Sequence, residues 1–193
     1  LKNEDADYFC TSYSINSLGL AGTLAWDSET LDFESKLIGS FNLENLILAA
    51  SIAIELNISR QSIIEGIKNC ENIDGRLHLV KNKSNQMIFL DYAHSPDAYF
   101  RTLKALKENF SRPLKVLFGA GGGRDKSKRP KMAEVVEKYS IECYLAPDNP
   151  RFEDIELINN DIIKGFSNES HHIFNDRKEA LIFALANLKS DEI

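Results

Sequence analysis

The first forty residues carry patterns typical of β-strands. Tyr8–Tyr13 and Gly19–Trp26 have strand-like composition, and Thr30–Ile38 alternates weakly between apolar and polar positions. Asp27 and Ser28 form a turn signal between the last two of these stretches. The pattern therefore predicts three short strands before the first helix.

A helical pattern follows the predicted strands. Apolar residues recur at helical spacing from Leu43 to Ile54, with Asn42 as the predicted N-cap and Asn57 as the predicted end. A second helix is predicted over Ser59–Lys68, with the Ser59 side chain as its cap. Residues 1–76 thus read as strands followed by helices.

The pattern changes after the turn at 74–76, where we place a domain boundary. Leu77–Val80 and Met87–Asp91 predict a hairpin across a polar loop. Beyond it, helices and strands alternate. A helix begins at Ser95 or Asp97 with Leu103 and Leu106 inward, and later elements are strands 114–118, 141–145 and 171–174 with helices 131–139, 154–164 and 176–189. This progression predicts an α/β domain over 77–193, with a Rossmann-like, doubly wound and mostly parallel sheet.

Composition narrows the function classes. The chain has 193 residues, of which 43% are hydrophobic and 27% charged, which is typical of soluble globular proteins. A net charge of −6 argues against nucleic-acid binding, since phosphate affinity needs a cationic face. No run is apolar enough for a membrane span and no signal peptide opens the chain, so we expect a cytoplasmic monomer that acts on small molecules.

The three cysteines and the two chain ends carry weaker signals. Cys10, Cys70 and Cys143 are widely spaced and form no C-x-x-C, so neither a zinc site nor a disulfide framework is indicated. The chain starts at Leu1, without a start methionine, and stops after a polar turn at Ile193. We expect it to be a piece of a longer protein.

A glycine-rich, basic stretch follows the strand at 114–118. Its glycines allow a sharp turn and close approach to a ligand, and Pro130 suits the first turn of the next helix. The stretch matches neither a P-loop nor the dinucleotide fingerprint, and a flexible basic turn is the plain alternative. Its cations are Arg124, Lys126, Lys128 and Arg129. Such a cluster would suit a small anion at the carboxyl end of the strand.

A second charged loop, Pro147–Arg151, follows the next strand. Arg151 offers a planar fork for a carboxylate, Asp148 can accept from an ammonium, and Pro150 stiffens the loop between them. Together these groups suit the zwitterionic head of an amino acid. An Asn-Pro turn with solvated charges is the alternative.

A third loop lies at the carboxyl end of the strand at 87–90. Asp91 could accept from ribose hydroxyls and His94 could donate to phosphate oxygens, whereas the alternative is helix capping by Asp97 and a solvated histidine. His171 and His172 have no acidic or cysteine partner at ligand spacing, so we interpret them as structural.

Five motifs, taken in order, resemble those of the Mur ligases. They are G-S-F-N-L-E-N-L at 39–46, D-G-R at 74–76, D-Y-A-H-S-P-D at 91–97, F-G-A-G-G-G-R-D-K-S-K-R-P at 118–130 and D-N-P-R at 148–151. Within the family they resemble the MurE type. The resemblance implies an ATP-dependent amide ligase of peptidoglycan synthesis, which adds meso-diaminopimelate to UDP-N-acetylmuramoyl-L-alanyl-D-glutamate. ATP phosphorylates the substrate carboxylate, and the incoming amine attacks the acyl phosphate.

The resemblance also implies an architecture and a set of site residues. The family has a UDP-binding domain, a central ATPase domain and a Rossmann-like C-terminal domain; this chain would hold the end of the second (1–76) and a truncated third (77–193). The implied nucleotide-binding residues are Asn42, Arg76, Asp91 and His94. The implied diaminopimelate-binding residues are Arg124, Asp148, Asn149, Pro150 and Arg151. ATP and Mg²⁺ would be required, but most metal ligands would lie outside the chain, and no catalytic residue falls within it.

Two departures from the family pattern stand out. The family loop reads G-C-G-G-D-R-D, whereas here Ala120 and Gly123 replace the cysteine and the first aspartate. The family's phosphate loop, modified lysine and metal ligands would precede Leu1, and its G-K-G-H-E segment would follow Ile193, so we expect the chain alone to be inactive.

Two alternatives to a MurE-type ligase stay open. A folylpolyglutamate synthase shares the Asp-x-Ala-His loop, although it does not account for Asp-Asn-Pro-Arg. A non-catalytic Rossmann-like module could bind a small anion. A G-T-x-G-K-[ST] motif upstream in the parent gene would favour an enzyme.

Overall fold

The computed structural model describes residues 5–193, and tertiary contacts divide them into two compact units. The first unit contains the residues up to His78 together with Glu108–Phe110. The second unit contains Leu79–Lys107 and Ser111–Ile193.

The first unit is built on an antiparallel sheet with two helices. Its strands are β1 (Phe9–Asn16), β2 (Gly19–Trp26) and β3 (Glu29–Ser35), in that order across the sheet. The predicted three strands are therefore confirmed. Leu24 and Leu31 are register partners and are both buried, and they join one apolar core with Leu43 of the first helix.

The helices of the first unit are α1 (Ser40–Glu55) and α2 (Arg60–Asn69). The prediction of Ser59 as the cap of α2 is confirmed, because its Oγ accepts from Ser62 N at 3.2 Å. The prediction of Asn42 as the cap of α1 is wrong. Gly39, with φ of 93°, is the N-cap, and Asn42 lies one turn inside the helix, where it is buried.

The end of α1 also differs slightly from the prediction. The helix stops at Glu55 with Leu56 as its C-cap, two residues before the predicted end at Asn57. Asn57 has φ of 57°, in the left-handed region that asparagine tolerates and that ends helices. Asn57 therefore marks the left-handed residue that follows the helix and not the last residue of the helix itself.

The predicted hairpin after the 74–76 turn is confirmed as a two-stranded sheet of β4 (His78–Leu79) and β5 (Phe89–Leu90). Asn82 orders the loop, because its Nδ2 donates to the carbonyls of Val80 and Gln86 at 3.1 and 2.7 Å. The second strand, β5, directly precedes the alternating helices and strands of the second unit. In the described residues its ladder partner is β4, and the parallel sheet begins one strand later.

The second unit has a parallel sheet of β6 (Lys115–Phe118), β7 (Glu142–Leu145) and β8 (His171–Ile173), in that order. Its helices are α3 (Pro96–Phe110, of which Glu108–Phe110 belong to the first unit), α4 (Lys128–Tyr139), α5 (Ile155–Ile163) and α6 (Arg177–Ala186). The predicted alternation of strands and helices is confirmed. Phe118, Cys143 and Leu145 are at most 2% exposed, so the sheet forms the centre of this unit.

A polar cluster crosses the same sheet around Glu142. Its carboxylate receives Lys115 Nζ at 2.9 Å, the Tyr144 hydroxyl at 2.8 Å and lies 2.8 Å from His172 Nε2. Burial opposes ionisation of Glu142, but these hydrogen bonds outweigh it and lower its pKa to about 2. The same carboxylate and burial raise the pKa of Tyr144 to about 12.

Three features of residues 5–193 bear on membrane insertion, metal binding and disulfide formation. None of the helices there is both long and apolar enough to cross a membrane. No cluster of three or more His, Cys, Asp or Glu in this part of the chain could hold a metal ion. The three cysteines are free thiols, two of them buried.

Candidate functional site

A cavity of about 740 Å³ opens in the second unit where the strands end. Its volume lies in the range of small-molecule sites. The predicted site residues that line it are Asp91, His94, Arg124, Asp148, Asn149 and Arg151. Three loops that are far apart in sequence therefore contribute polar side chains to one space.

Asp91 is fixed at the wall of this cavity by its own loop and by α3. Its Oδ1 accepts from Ala93 N at 2.9 Å and from Thr102 Oγ1 at 3.1 Å. Both donors orient the carboxylate. An oriented carboxylate is suited to accept hydrogen bonds from hydroxyl groups of a ligand.

His94 is exposed at the cavity mouth. Its Nδ1 lies 3.0 Å from Tyr92 O, and because a carbonyl can only accept, Nδ1 carries the proton and Nε2 is left for a ligand. The alternative in which Asp97 caps the following helix is not supported. Ser95 Oγ is the cap, accepting from Ala98 N at 3.3 Å, and Asp97 pairs with Arg101.

The glycine loop and the 147–151 loop are joined directly. Gly122 N donates to Asn149 O at 2.8 Å, and Arg151 Nη1 donates to Gly122 O. Arg151 has φ of 52°, and its backbone N–H donates to Asn149 Oδ1 at 3.2 Å. The second loop is thus wound tightly, with the Arg151 guanidinium turned back across the first.

Two of the glycines serve this junction, and close approach of the glycine loop to a ligand stays a prediction, with Gly119 and Gly121 lining the cavity. A Cβ on Gly119 would lie 2.0 Å from Ala146 O, and one on Gly122 would lie 1.9 Å from Pro150 O. Both contacts are with backbone, so a side chain could not be accommodated without moving a loop. Gly121 differs, since a Cβ there would face the Arg151 guanidinium at 3.1 Å.

Pro150 is the one predicted substrate-binding residue that does not line the cavity. Its carbonyl accepts from Glu153 N at 2.9 Å and lies against Gly122. Its place in the structure is to shape the loop. Asn149, in contrast, lines the cavity and also accepts from Gly122 through its backbone.

The four cations of the glycine loop do not act as one anion site. Arg129 is fully buried and pairs with Glu153 at 2.9 Å and Asp161 at 3.0 Å. Lys126 lies 3.5 Å from the same Glu153 carboxylate. Arg124 is exposed and lines the cavity, and so does Lys128, whose Nζ donates to His94 O at 2.9 Å. The sequence could not separate buried from exposed cations in this run.

Sequence reasoning missed Arg177 and Tyr99. Arg177 lines the cavity from the start of α6, and its Nη1 donates to Pro147 O at 3.3 Å. It follows the third parallel strand, so the rule that ligands sit at the carboxyl ends of such strands could have found it. Tyr99 is buried in the cavity wall, which raises its pKa above the usual range, and no local pattern marks it.

Asn42 and Arg76 belong to the first unit. Asn42 is 1% exposed, its Nδ2 donates to Ile38 O at 2.8 Å, and its Oδ1 has no hydrogen-bond partner among the described residues. Arg76 is exposed, and its backbone N–H donates to Ile73 O at 2.9 Å to close the predicted turn.

The two adjacent histidines of β8 are engaged with neighbouring rings. His171 stacks on Phe166 with ring centres 4.4 Å apart, and His172 stacks on Tyr144 at 5.6 Å. The fold does bring an acidic partner to His172, namely Glu142, which is thirty residues earlier in the chain.

Comparisons with known proteins extend this description. The model of the Mur ligase glutamate ligase domain matches residues 75–193. A curated relative from Bacillus cereus is 34% identical over 97% of this chain, and one from Vibrio vulnificus is 38% identical over 81%; both are named UDP-N-acetylmuramoyl-L-alanyl-D-glutamate–2,6-diaminopimelate ligase. The chain spans 38% and 32% of their respective lengths.

Solved structures agree with the fold. The structure of a ligase with the same name as these two relatives matches the whole chain at 32% identity with a TM-score of 0.64, and this chain spans 40% of that protein. Folylpolyglutamate synthase from Mycobacterium tuberculosis matches 94% of this chain with a TM-score of 0.79 but is only 19% identical to it, and this chain spans 41% of that protein. The second likeness is therefore one of fold alone. With a family model over 75–193 and relatives above 30% identity along nearly all of its length, the chain belongs to the Mur ligase family.

Proposed function

We propose that the protein carrying this chain is an ATP-dependent ligase that joins meso-diaminopimelate to UDP-N-acetylmuramoyl-L-alanyl-D-glutamate in peptidoglycan synthesis. The observation that carries the proposal is the cavity at the ends of the strands, where two arginines and an aspartate face an aspartate–histidine pair. Relatives that are 32–38% identical and bear the name of such a ligase support it.

One wall of the cavity would hold the amino acid. Arg124 and Arg151 would bind the carboxylate at the distal end of diaminopimelate, and Asp148 would accept from the ammonium beside it. Asn149 and Pro150 would shape this wall, since the first is held by Gly122 and the second abuts it. Burial of the ligand between the two loops would strengthen each of these charged contacts.

The other wall would hold the nucleotide. Asp91, already oriented by Thr102, would accept from the ribose hydroxyls, and His94 Nε2 would donate to a phosphate oxygen when protonated. We propose that Asn42 and Arg76, which belong to the first unit, also bind the nucleotide. Residues 1–76 would then be the end of the central domain and 77–193 the C-terminal domain.

The chemistry follows from charge and proximity. In an amide ligase ATP activates a carboxylate as an acyl phosphate, and the amine displaces phosphate from it. The residues of this chain would orient the amino acid so that its reacting amine meets the acyl carbon, which converts binding into rate. The residues that the structure describes contain no group of three or more His, Cys, Asp or Glu that could hold a metal ion, so the protein ligands of Mg²⁺ would lie mostly outside this chain.

The 193 residues contain no G-x-x-x-x-G-K-[ST] phosphate loop, so we expect no ligase activity from this chain alone. The function is tested with the full-length protein, by ATP-dependent phosphate release that requires both the UDP-linked dipeptide and diaminopimelate. Release that depends instead on a folate and glutamate would favour the folylpolyglutamate synthase alternative. An absence of any amino-acid-dependent release would favour the non-catalytic, anion-binding alternative. Cytoplasmic location and a monomeric state are further predictions.

A further inference from the structure

A buried ion cluster lies behind the two loops of the candidate amino-acid site. Arg129, in the first turn of α4, is 0% exposed, and its two terminal nitrogens pair with Glu153 and Asp161 at 2.9 and 3.0 Å. Burying a guanidinium is costly unless it is paired, so both carboxylates are needed to offset its desolvation. The two acids, however, make different further contacts.

Glu153 reaches both loops. Its Oε1 accepts from Gly123 N at 2.7 Å, and its own N–H donates to Pro150 O at 2.9 Å. Its Oε2 receives Arg129 Nη2, which also lies 3.4 Å from Gly121 O. Gly123 precedes Arg124 and Pro150 precedes Arg151, so one residue is tied to the neighbours of both arginines, to the first through its carboxylate and to the second through its backbone N–H.

Asp161 is bound to the same guanidinium but lies away from the loops. Its carboxylate accepts from Arg129 Nη1 at 3.0 Å and from Lys164 Nζ at 2.7 Å. These two partners lie in α4 and just beyond the end of α5, outside both loops. Glu153 and Asp161 therefore share a buried partner and differ in their contact with the loops.

We propose that Glu153, held in place by Arg129, is a positioning residue that fixes the glycine loop against the 147–151 loop and so sets the relation between Arg124 and Arg151. This inference rests on the proposed function, in which those two arginines bind one carboxylate. Gly123 has φ of 58° and no side chain, so without its hydrogen bond to Glu153 the backbone before Arg124 would sample many conformations.

The Glu153→Gln variant tests this with almost no change in shape. A carboxylate accepts from both Gly123 N–H and Arg129, whereas an amide can accept at its oxygen only and would set its NH₂ group against the other donor. The Asp161→Asn variant is the matched control. It removes the same charge from the same guanidinium, and an amide there can still accept from Arg129 without any contact with the glycine loop.

Hydrogen exchange at the Gly123 amide is the first readout, measured on this chain. Glu153→Gln should speed exchange there by about 10- to 100-fold, because a hydrogen bond to a charged acceptor is lost, while Asp161→Asn leaves it unchanged. Equal exchange rates at Gly123 in the two variants would overturn the proposal, since Glu153 would then contribute only to general stability.

Steady-state kinetics of the full-length enzyme give the second readout. Glu153→Gln should raise the KM for diaminopimelate by about tenfold or more, with little change in the KM for ATP. The reason is that less well positioned Arg124 and Arg151 side chains would weaken binding of the amino acid alone. Asp161→Asn should leave both constants unchanged, and an unchanged diaminopimelate KM in Glu153→Gln would overturn the proposal. If the wild type shows no diaminopimelate-dependent turnover, the proposed function fails, and exchange at Gly123 still decides whether Glu153 positions the loop.

Discussion

The backbone N–H of Gly122 donates a 2.8 Å hydrogen bond to the carbonyl oxygen of Asn149, which joins the loops that follow β6 and β7. The two residues are far apart in sequence, and only the pairing of parallel strands brings their loops together. Contact this close requires a residue without Cβ at position 122. The relative placement of Arg124, Asp148 and Arg151 depends on this junction.

We therefore predict that Gly122→Ala destabilises the second unit by about 2 kcal/mol, because its Cβ would overlap Pro150 O and force the backbone to move. The measurement is urea unfolding followed by labelling of the buried Cys143 thiol. Gly121→Ala is the control in the same loop. Its Cβ would be close only to the end of the Arg151 side chain, at 3.1 Å, and would meet Asn149 O and Asp148 Oδ2 at ordinary contact distances, so a loss of about 0.5 kcal/mol or less is expected. Equal losses in the two variants would contradict the assigned role of Gly122.

Arg151 is predicted to select diaminopimelate over L-lysine in the full-length enzyme. Lysine lacks the distal carboxylate and would leave the guanidinium without its ligand, and sites built to pair a polar group can reject analogues by roughly 10⁴-fold. Arg151→Ala should reduce that preference by about 10- to 100-fold, as the loss of a charged hydrogen bond implies. Amino-acid competition measures it. Arg151→Lys, which keeps the charge without the planar fork, should recover only part of the preference, and an undiminished preference in Arg151→Ala would refute the assignment.

Asp91 and His94 are predicted to serve nucleotide binding. Replacing either by Ala should raise the KM for ATP by about 10-fold and the KM for diaminopimelate much less, because each would lose a hydrogen bond to the nucleotide. Saturation curves for both substrates separate the two effects. Asp97→Ala is the nearby control, since Asp97 is exposed and its carboxylate pairs with Arg101 on the same helix. Unchanged ATP saturation in both variants would show that this wall does not bind nucleotide.

Glu142 should make the stability of the second unit depend on pH. Its pKa falls from the ordinary 4.5 to about 2 in the folded state, so its stabilisation is fully present above pH 4.5 and is lost as the pH falls toward 2. After allowance for solvent screening this amounts to about 2 kcal/mol at pH 7. Cys143 labelling in urea at pH 6 and pH 3, with a pyridyl disulfide that is activated by acid and so still reacts with thiols at the lower pH, should show the loss in the wild type and a smaller one in Glu142→Gln.

The fluorescence of Trp26, the single tryptophan, provides the control for that experiment, because it reports on the first unit. Its unfolding transition should be the same in the wild type and in Glu142→Gln at each pH. A variant whose Cys143 labelling kept the full pH dependence of the wild type would show that Glu142 is not its source.

The sequence by itself determined the order and type of most elements. Strand-like composition located β1 and β2, weak alternation located β3, and helical spacing located the helices, since the two periods follow from backbone geometry. Local hydrogen-bonding chemistry identified Ser59 as a helix cap and left Ser95 and Asp97 as alternatives for the start of α3, where the structure shows Ser95. Ordered motifs indicated the family and nominated six of the residues that line the cavity.

Tertiary structure decided which polar residues are buried and what each one touches. Arg124 and Arg129 read alike in the sequence, but the carboxylates of Glu153 and Asp161 meet only the second of them, because α5 packs beside α4. Asn42 suited an N-cap, yet Gly39 with its positive φ begins the helix and turns the amide inward. Burial and long-range pairing depend on how segments that are distant in sequence pack together, and the local spacing of residues cannot predict that packing.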